Sequence, residues 1–127
     1  MTYDTLYEEF ERHIPEVVVF CERDAVRADM RLDDGPHIKF DTIVSAYLIH
    51  LKEAGEEEQI QRCMQFFDKM VASEDKECGA VFDFSVMESI VGAGLYLCFE
   101  PYMTKTLKKS YTLVAQYIAT PQDEPKK

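Results

Sequence analysis

The chain has 127 residues, 46% apolar and 30% charged, a balance that suits one domain with a single core and excludes a largely disordered chain. Residues 1–100 hold 22 Asp and Glu against 9 Lys and Arg, a net charge of −13, whereas the last 27 residues carry +3. Such an acidic body repels nucleic acid and anionic membrane and speeds encounter with basic protein surfaces, so a basic protein is the expected partner.

Apolar residues recur at helical spacing along nearly the whole chain, and no run alternates as a half-buried strand would. Tyr3, Leu6, Tyr7, Phe10 and Ile14 form the first stripe. It predicts a helix ending near His13, because Pro15 disfavours helical geometry in the residue before it. Pro15 then opens a second helix with Glu16 in its first turn, where the helix dipole favours a carboxylate. Its inner face is Val18, Cys21, Ala25 and Val26, and it runs to about Leu32.

Asp33-Asp34-Gly35-Pro36-His37 holds both strong structure breakers and is predicted to be a loop. Phe40, Ile43, Val44, Tyr47, Leu48 and Leu51 follow as the most regular helical stripe, stopped after Ala54 by Gly55. Ile60, Cys63, Met64, Phe67, Met70 and Val71 repeat the pattern, and the short connection at Gly55–Glu57 predicts an antiparallel hairpin.

A polar stretch over 73–77 precedes a fifth helix rich in large apolar residues: Val81, Phe82, Phe84, Val86, Met87, Ile90 and Val91. That breadth predicts a central helix, with Phe84 and Ile90 both in the core. The run from Ala80 to Phe99 approaches membrane-spanning length, but Asp83 and Glu88 would be costly at bilayer depth, so burial in protein is expected instead. Gly92 and Gly94 either end the helix or permit close packing. After Glu100-Pro101, a sixth helix uses Met103, Leu107, Tyr111, Val114, Tyr117 and Ile118.

The expected fold is all-α: about six helices in three antiparallel hairpins, as a compact orthogonal bundle or a short solenoid-like stack. Residues 1–119 form a single helical domain and 120–127 a flexible C-terminal tail with two prolines. The N-terminus lacks the basic and apolar segments of a secretory signal, so a cytoplasmic location is expected. Cys21, Cys63, Cys78 and Cys98 match neither a redox pair nor a zinc knuckle in spacing and are read as reduced thiols.

Residues able to do chemistry are sparse. His50 with Glu53, and Glu9 with His13, lie at helical spacing but supply two ligands where a metal needs three or four, so no metal or cofactor is expected. Asp33-Asp34-Gly35 lacks the spacing of a calcium loop. Ser85, Ser89 and Ser110 lie outside any nucleophile elbow, and no phosphate loop occurs. Glu88, between Met87 and Ile90, is the carboxylate most exposed to desolvation effects. The best contact candidates for a partner are Asp33, Asp34 and His37 in the loop, and Glu56, Glu57 and Glu58, which also serve the dipole of the helix they open.

The order of landmarks resembles a known family. A first helix ends in Phe10 and Ile14-Pro15-Glu16, and Pro36-His37-Ile38-x-Phe40 leads into an amphipathic helix. Gln65-Phe66-Phe67-Asp68-Lys69-Met70 precedes a Glu74-Asp75 turn, then come Phe84-Ser85-Val86-Met87-Glu88-Ser89 and Pro101-Tyr102-Met103. Over about residues 5–118 the chain is similar to an uncharacterised bacterial family of small, acidic, all-helical proteins. It departs at Met87, where Leu is more usual, and at Gly92–Gly94. The resemblance implies no catalytic residue, and similar small acidic proteins serve as immunity proteins that neutralise toxins. The leading expectation is therefore a non-catalytic protein-binding domain, an immunity-type inhibitor of a basic toxin or effector domain. The alternatives are a secretion-type chaperone or adaptor and an enzyme with a cryptic carboxylate site near Glu88 or His50.

Overall fold

The computed structural model describes residues 1–24 and 35–119, and the structural statements that follow concern those residues. They form seven helices and no strand. In chain order these are α1 (Leu6–His13), α2 (Glu16–Asp24), α3 (Pro36–Ala54), α4 (Glu57–Ala72), α5 (Lys76–Gly92), α6 (Tyr96–Tyr102) and α7 (Lys105–Ala119). Asp33, Asp34, the later part of the predicted second helix and the 120–127 tail lie outside the described residues.

Local chemistry explains most of the boundaries. Asp75 caps α5, its carboxylate accepting from the Glu77 backbone N–H at 3.1 Å and from the Tyr3 N–H at 2.8 Å, which ties the N-terminal segment to that helix end. Gly55 and Gly94 both take φ of +71°, the left-handed conformation that closes a helix. Beside them the Glu56 N–H reaches the Leu51 carbonyl at 3.0 Å, and the Leu95 N–H reaches the Ile90 carbonyl at 2.9 Å. Gly92 and Gly94 thus end α5, and the chain bends by 112° into α6.

That bend accounts for the helix beyond the six expected. The apolar run continuing to Phe99 is two helices, and α6 stands between α5 and α7 where a plain hairpin was expected. Tyr96 of α6 stacks on Tyr111 of α7 with ring centroids 3.6 Å apart. No single helix among the described residues is long and apolar enough to cross a membrane.

The packing is a bundle around one core rather than a stack. α1 packs on α2, α3 and α4, while α5 packs on α3, α4 and α7. All six stripe residues of α3, from Phe40 to Leu51, are buried, as are Ile60, Cys63, Met64, Phe67 and Met70 of α4. Pro36 and His37, expected in the loop, instead form the first turn of α3. Three cysteines are buried, Cys98 is exposed, and all four are free. Burial pushes the Cys63 thiol well above its ordinary pKa, which keeps it protonated and unreactive.

Two helices contain a wide π-helical turn, Phe40–Val44 in α3 and Phe82–Met87 in α5, and the two turns face each other. His37 Nδ1 and Ser85 Oγ share a hydrogen bond of 2.9 Å, and Ser89 Oγ donates to Asp41 Oδ1 at 2.9 Å. On α5 the expectation for Ile90 holds, at 3% exposure, but Phe84 is 43% exposed. Phe84 lies about half a turn from the buried Phe82, so its ring leaves the core and packs edge to face on Tyr117 of α7, at 5.9 Å.

Ile90→Ala will lower stability in urea titration by about 2–5 kcal/mol, the range for a fully buried aliphatic side chain. Phe84→Ala will cost about 1 kcal/mol, since it loses one ring contact at the surface. Equal losses for the two would contradict this assignment of faces.

Candidate functional site

An open cleft of about 270 Å³ lies where α2, α3 and the start of α4 meet. Two nearly buried rings form its floor, Phe20 at 6% exposure and Tyr47 at 1%. His50 completes an aromatic group, with centroids 5.0 Å from Phe20 and 6.4 Å from Tyr47, while Phe20 and Tyr47 are 5.4 Å apart. Glu16, Glu56 and Gln59 supply the polar lining, and exposed Val19 stands at the lip. The Tyr47 hydroxyl donates to the Gln59 side-chain carbonyl, which fixes both groups.

Arg62 organises the charge beside this cleft. Its guanidinium holds both oxygens of Glu16, at 3.1 and 2.5 Å, and both oxygens of Glu58, at 2.8 and 3.1 Å. The hydrogen bonds from Arg62 hold the Glu16 carboxyl below its ordinary pKa, against the opposing effect of burial. Tyr47 is displaced the other way. Burial raises its pKa first, nearby Cys63, Glu16 and Glu56 add to the rise, and Arg62 opposes it.

The three consecutive glutamates do not act together. Glu58 turns to Arg62, Glu57 lies beside the Tyr102 hydroxyl, and Glu56, which precedes the first turn of α4, lines the cleft. His37 is near the far end of α3, about 20 Å from His50 along the helix at roughly 1.5 Å per residue, and bonded to Ser85. Of the expected contact residues, the fold therefore brings Glu56 to the cleft and leaves His37 apart. It adds Glu16, Phe20, Tyr47, His50 and Gln59. One signal for this was readable: Glu58 and Arg62 stand four apart on a helix, the spacing of an ion pair. Nothing local links Glu16 to Arg62, 46 positions away.

A second cavity of about 230 Å³ is lined by Glu9, Arg12, His13, Phe66 and Lys69, with Met1 at its edge. Burial lowers the His13 pKa, and the positive charges of Lys69 and Arg62 lower it further. Its charges are mixed and its aromatic lining is the single pair His13 and Phe66, 5.6 Å apart, so it has less to offer a ligand. Glu88 is only half-buried, and His50 belongs to the aromatic group rather than to a ligand set. Among the described residues no three His, Cys, Asp or Glu side chains are grouped to hold a metal ion.

Residues 7–119 match the family described as Domain of unknown function (DUF7674), and the chain belongs to that family. The match takes in every landmark from Phe10 to Met103. No curated protein and no solved structure matches the chain.

Arg62→Met will destabilise the domain by about 0.5–1 kcal/mol at pH 7, a modest value because both partners of the Glu16 pair are partly exposed. Glu16 has a lowered folded pKa, so its contribution is complete above its unfolded value of 4.5 and is lost as pH falls through the folded value. Urea titrations of wild type and variant will therefore converge below about pH 4.5. A gap unchanged in acid would assign the effect of Arg62 to its packing.

Proposed function

We propose that this domain is a non-catalytic protein-binding module, an immunity-type inhibitor that occludes a basic toxin or effector domain. The observation that carries the reading is the meeting of Glu16 and Glu56 at an open, aromatic-floored cleft on a body with a charge of −13 over residues 1–100. The distributed acidity serves encounter, because charges far apart on the surface add to the long-range field that draws a basic partner in. The concave site serves retention, since buried aromatic anchors and desolvated polar contacts govern how slowly a complex comes apart. On this reading the domain works in the cytoplasm, beside the partner it neutralises, and avoids nucleic acid and membrane.

The test is co-expression with each product of the genes flanking its own. The domain will restore growth to cells making the toxic one, and its association with that purified product will slow as salt rises from about 50 to 500 mM. Glu56→Lys will slow association further at low salt, with little change in circular dichroism. Failure to protect against any flanking product would sink the immunity reading. Co-purification with an unfolded segment of an effector would favour a chaperone in its place.

A further inference from the structure

The cleft has a more definite chemistry than an acidic surface. Phe20, Tyr47 and His50 lie within 5.0–6.4 Å of one another, so a group entering the cleft meets the half-buried His50 ring backed by the nearly buried Phe20 and Tyr47 rings. Aromatic rings attract cations through their quadrupole, and they do so most strongly where water is excluded. The carboxylates of Glu16 and Glu56 are on the same lining, yet their states differ. Arg62 shares its single charge between Glu16 and Glu58, whereas Glu56 is exposed and makes no ion pair among the described residues. A carboxylate without a cation of its own among the described residues, set beside aromatic rings, suits an organic cation.

Size narrows the ligand. Pockets for whole small molecules run from about 300 to 1,000 Å³, and this cleft, at about 270 Å³, falls just short of that range while leaving room for one long side chain. Val19, 59% exposed at the lip, offers apolar surface to a methylene stem. A guanidinium suits the interior better than an ammonium, because its plane stacks on rings while its fork of N–H donors engages a carboxylate with two bonds. The same chemistry already operates next door, where Arg62 forks onto Glu16 and Glu58. The negative influence of Glu16 and Glu56 on the Tyr47 hydroxyl agrees with this, since it places their field at the floor.

We infer that the cleft receives a single arginine side chain of the partner, its guanidinium held between Glu56 and the Phe20, Tyr47 and His50 rings and its stem against Val19. The inference rests on the reading that the domain binds a basic protein, and it makes this cleft the anchor point of that interface.

The full chain should be titrated with acetyl-Gly-Arg-Gly-amide and, as an uncharged control of similar length, acetyl-Gly-norleucine-Gly-amide, following side-chain resonances by NMR. The arginine peptide will shift the ring signals of Phe20, Tyr47 and His50 and saturate with a Kd on the order of 1–10 mM, while the norleucine peptide leaves them in place. Glu56→Gln will weaken the arginine peptide about fivefold and His50→Gln about twofold, with unchanged circular dichroism. Glu56 lacks a capping bond, so its replacement leaves the helix start intact. Equal shifts with both peptides, absence of ring shifts at saturating peptide, or full affinity in Glu56→Gln would overturn the inference. The two levels separate cleanly. A basic partner that binds wild type and Glu56→Gln equally well defeats the arginine anchor and leaves the protein-binding function standing. Absence of any basic partner defeats the function, while the peptide titration still decides the cleft.

Discussion

Phe10 is the contact on which the rest of the structure depends. This fully buried ring lies 5.5 Å from Phe40 of α3, 5.3 Å from Phe66 and 6.2 Å from Phe67 of α4, and Phe67 continues the chain of rings to Phe82 of α5 at 5.2 Å. Four helices therefore meet through five rings that are each 2% exposed or less. Aromatic side chains bury about 150–250 Å² apiece, so this cluster supplies a large share of the apolar burial available to so small a domain. It also fixes orientation. Rings packed at several angles, edge to face on Phe66, stacked on Phe67 and tilted on Phe40, cannot slide as aliphatic chains can, so α1 has one seat between α3 and α4.

The seat of α1 determines the cleft. Only Ile14 and Pro15 separate α1 from α2, so α2 is aimed by the helix before it, and Phe20 then locks it onto Tyr47. That placement carries Glu16 across to Arg62, converting a residue that would merely favour a helix start into a lining group of the cleft. At the other end of α3 the paired π turns do comparable work. A widened turn is costly in a plain helix and persists where neighbouring groups hold it. Here His37 with Ser85, and Asp41 with Ser89, are polar links between α3 and α5, each pair with one member in a widened turn and the other just outside the facing one. His37 is thus part of the joint between α3 and α5, which is why a residue from a presumed binding loop has a structural partner instead.

What could be read from the sequence was whatever depends on period. The stripes of α1, α3 and α4 are buried as their spacing requires, and Gly55 stops its helix because glycine tolerates positive φ there. Phe84 was misplaced because hydrophobicity outweighed angle: it is large and apolar, but it points away from Phe82, and α7 covers that side of α5 only in part. The separate α6 was half-legible: Gly92 and Gly94 marked either a helix end or a close-packing site, and only the left-handed Gly94 in the fold selects the first. The cleft was mostly illegible for a different reason. Its glutamate at the α4 start was visible as charge and His50 as half of a two-ligand pair, but Phe20 and Tyr47 carry no signal of a shared site until α2 is laid across α3.

The charge asymmetry takes on two separate meanings in this fold. Glu58 and Glu16 share one arginine, which offsets half of their charge, and Glu57 and Glu58 stand in the first turn of α4, where the helix dipole already favours them. Most of the net charge is therefore spread over solvated faces and acts only through its sum. At physiological ionic strength that sum is screened beyond about 8 Å, so it can raise the frequency of encounters but cannot hold a partner in register. Register needs a charge that is short-ranged, partly shielded from water and fixed against rigid groups. Glu56, placed against the Phe20 and Tyr47 floor, meets the last of these through its neighbours and gains the second when a partner closes the cleft. On the proposed reading, salt sensitivity and specificity come from different residues of this domain, the first from the body as a whole and the second from Glu56 and the rings beside it.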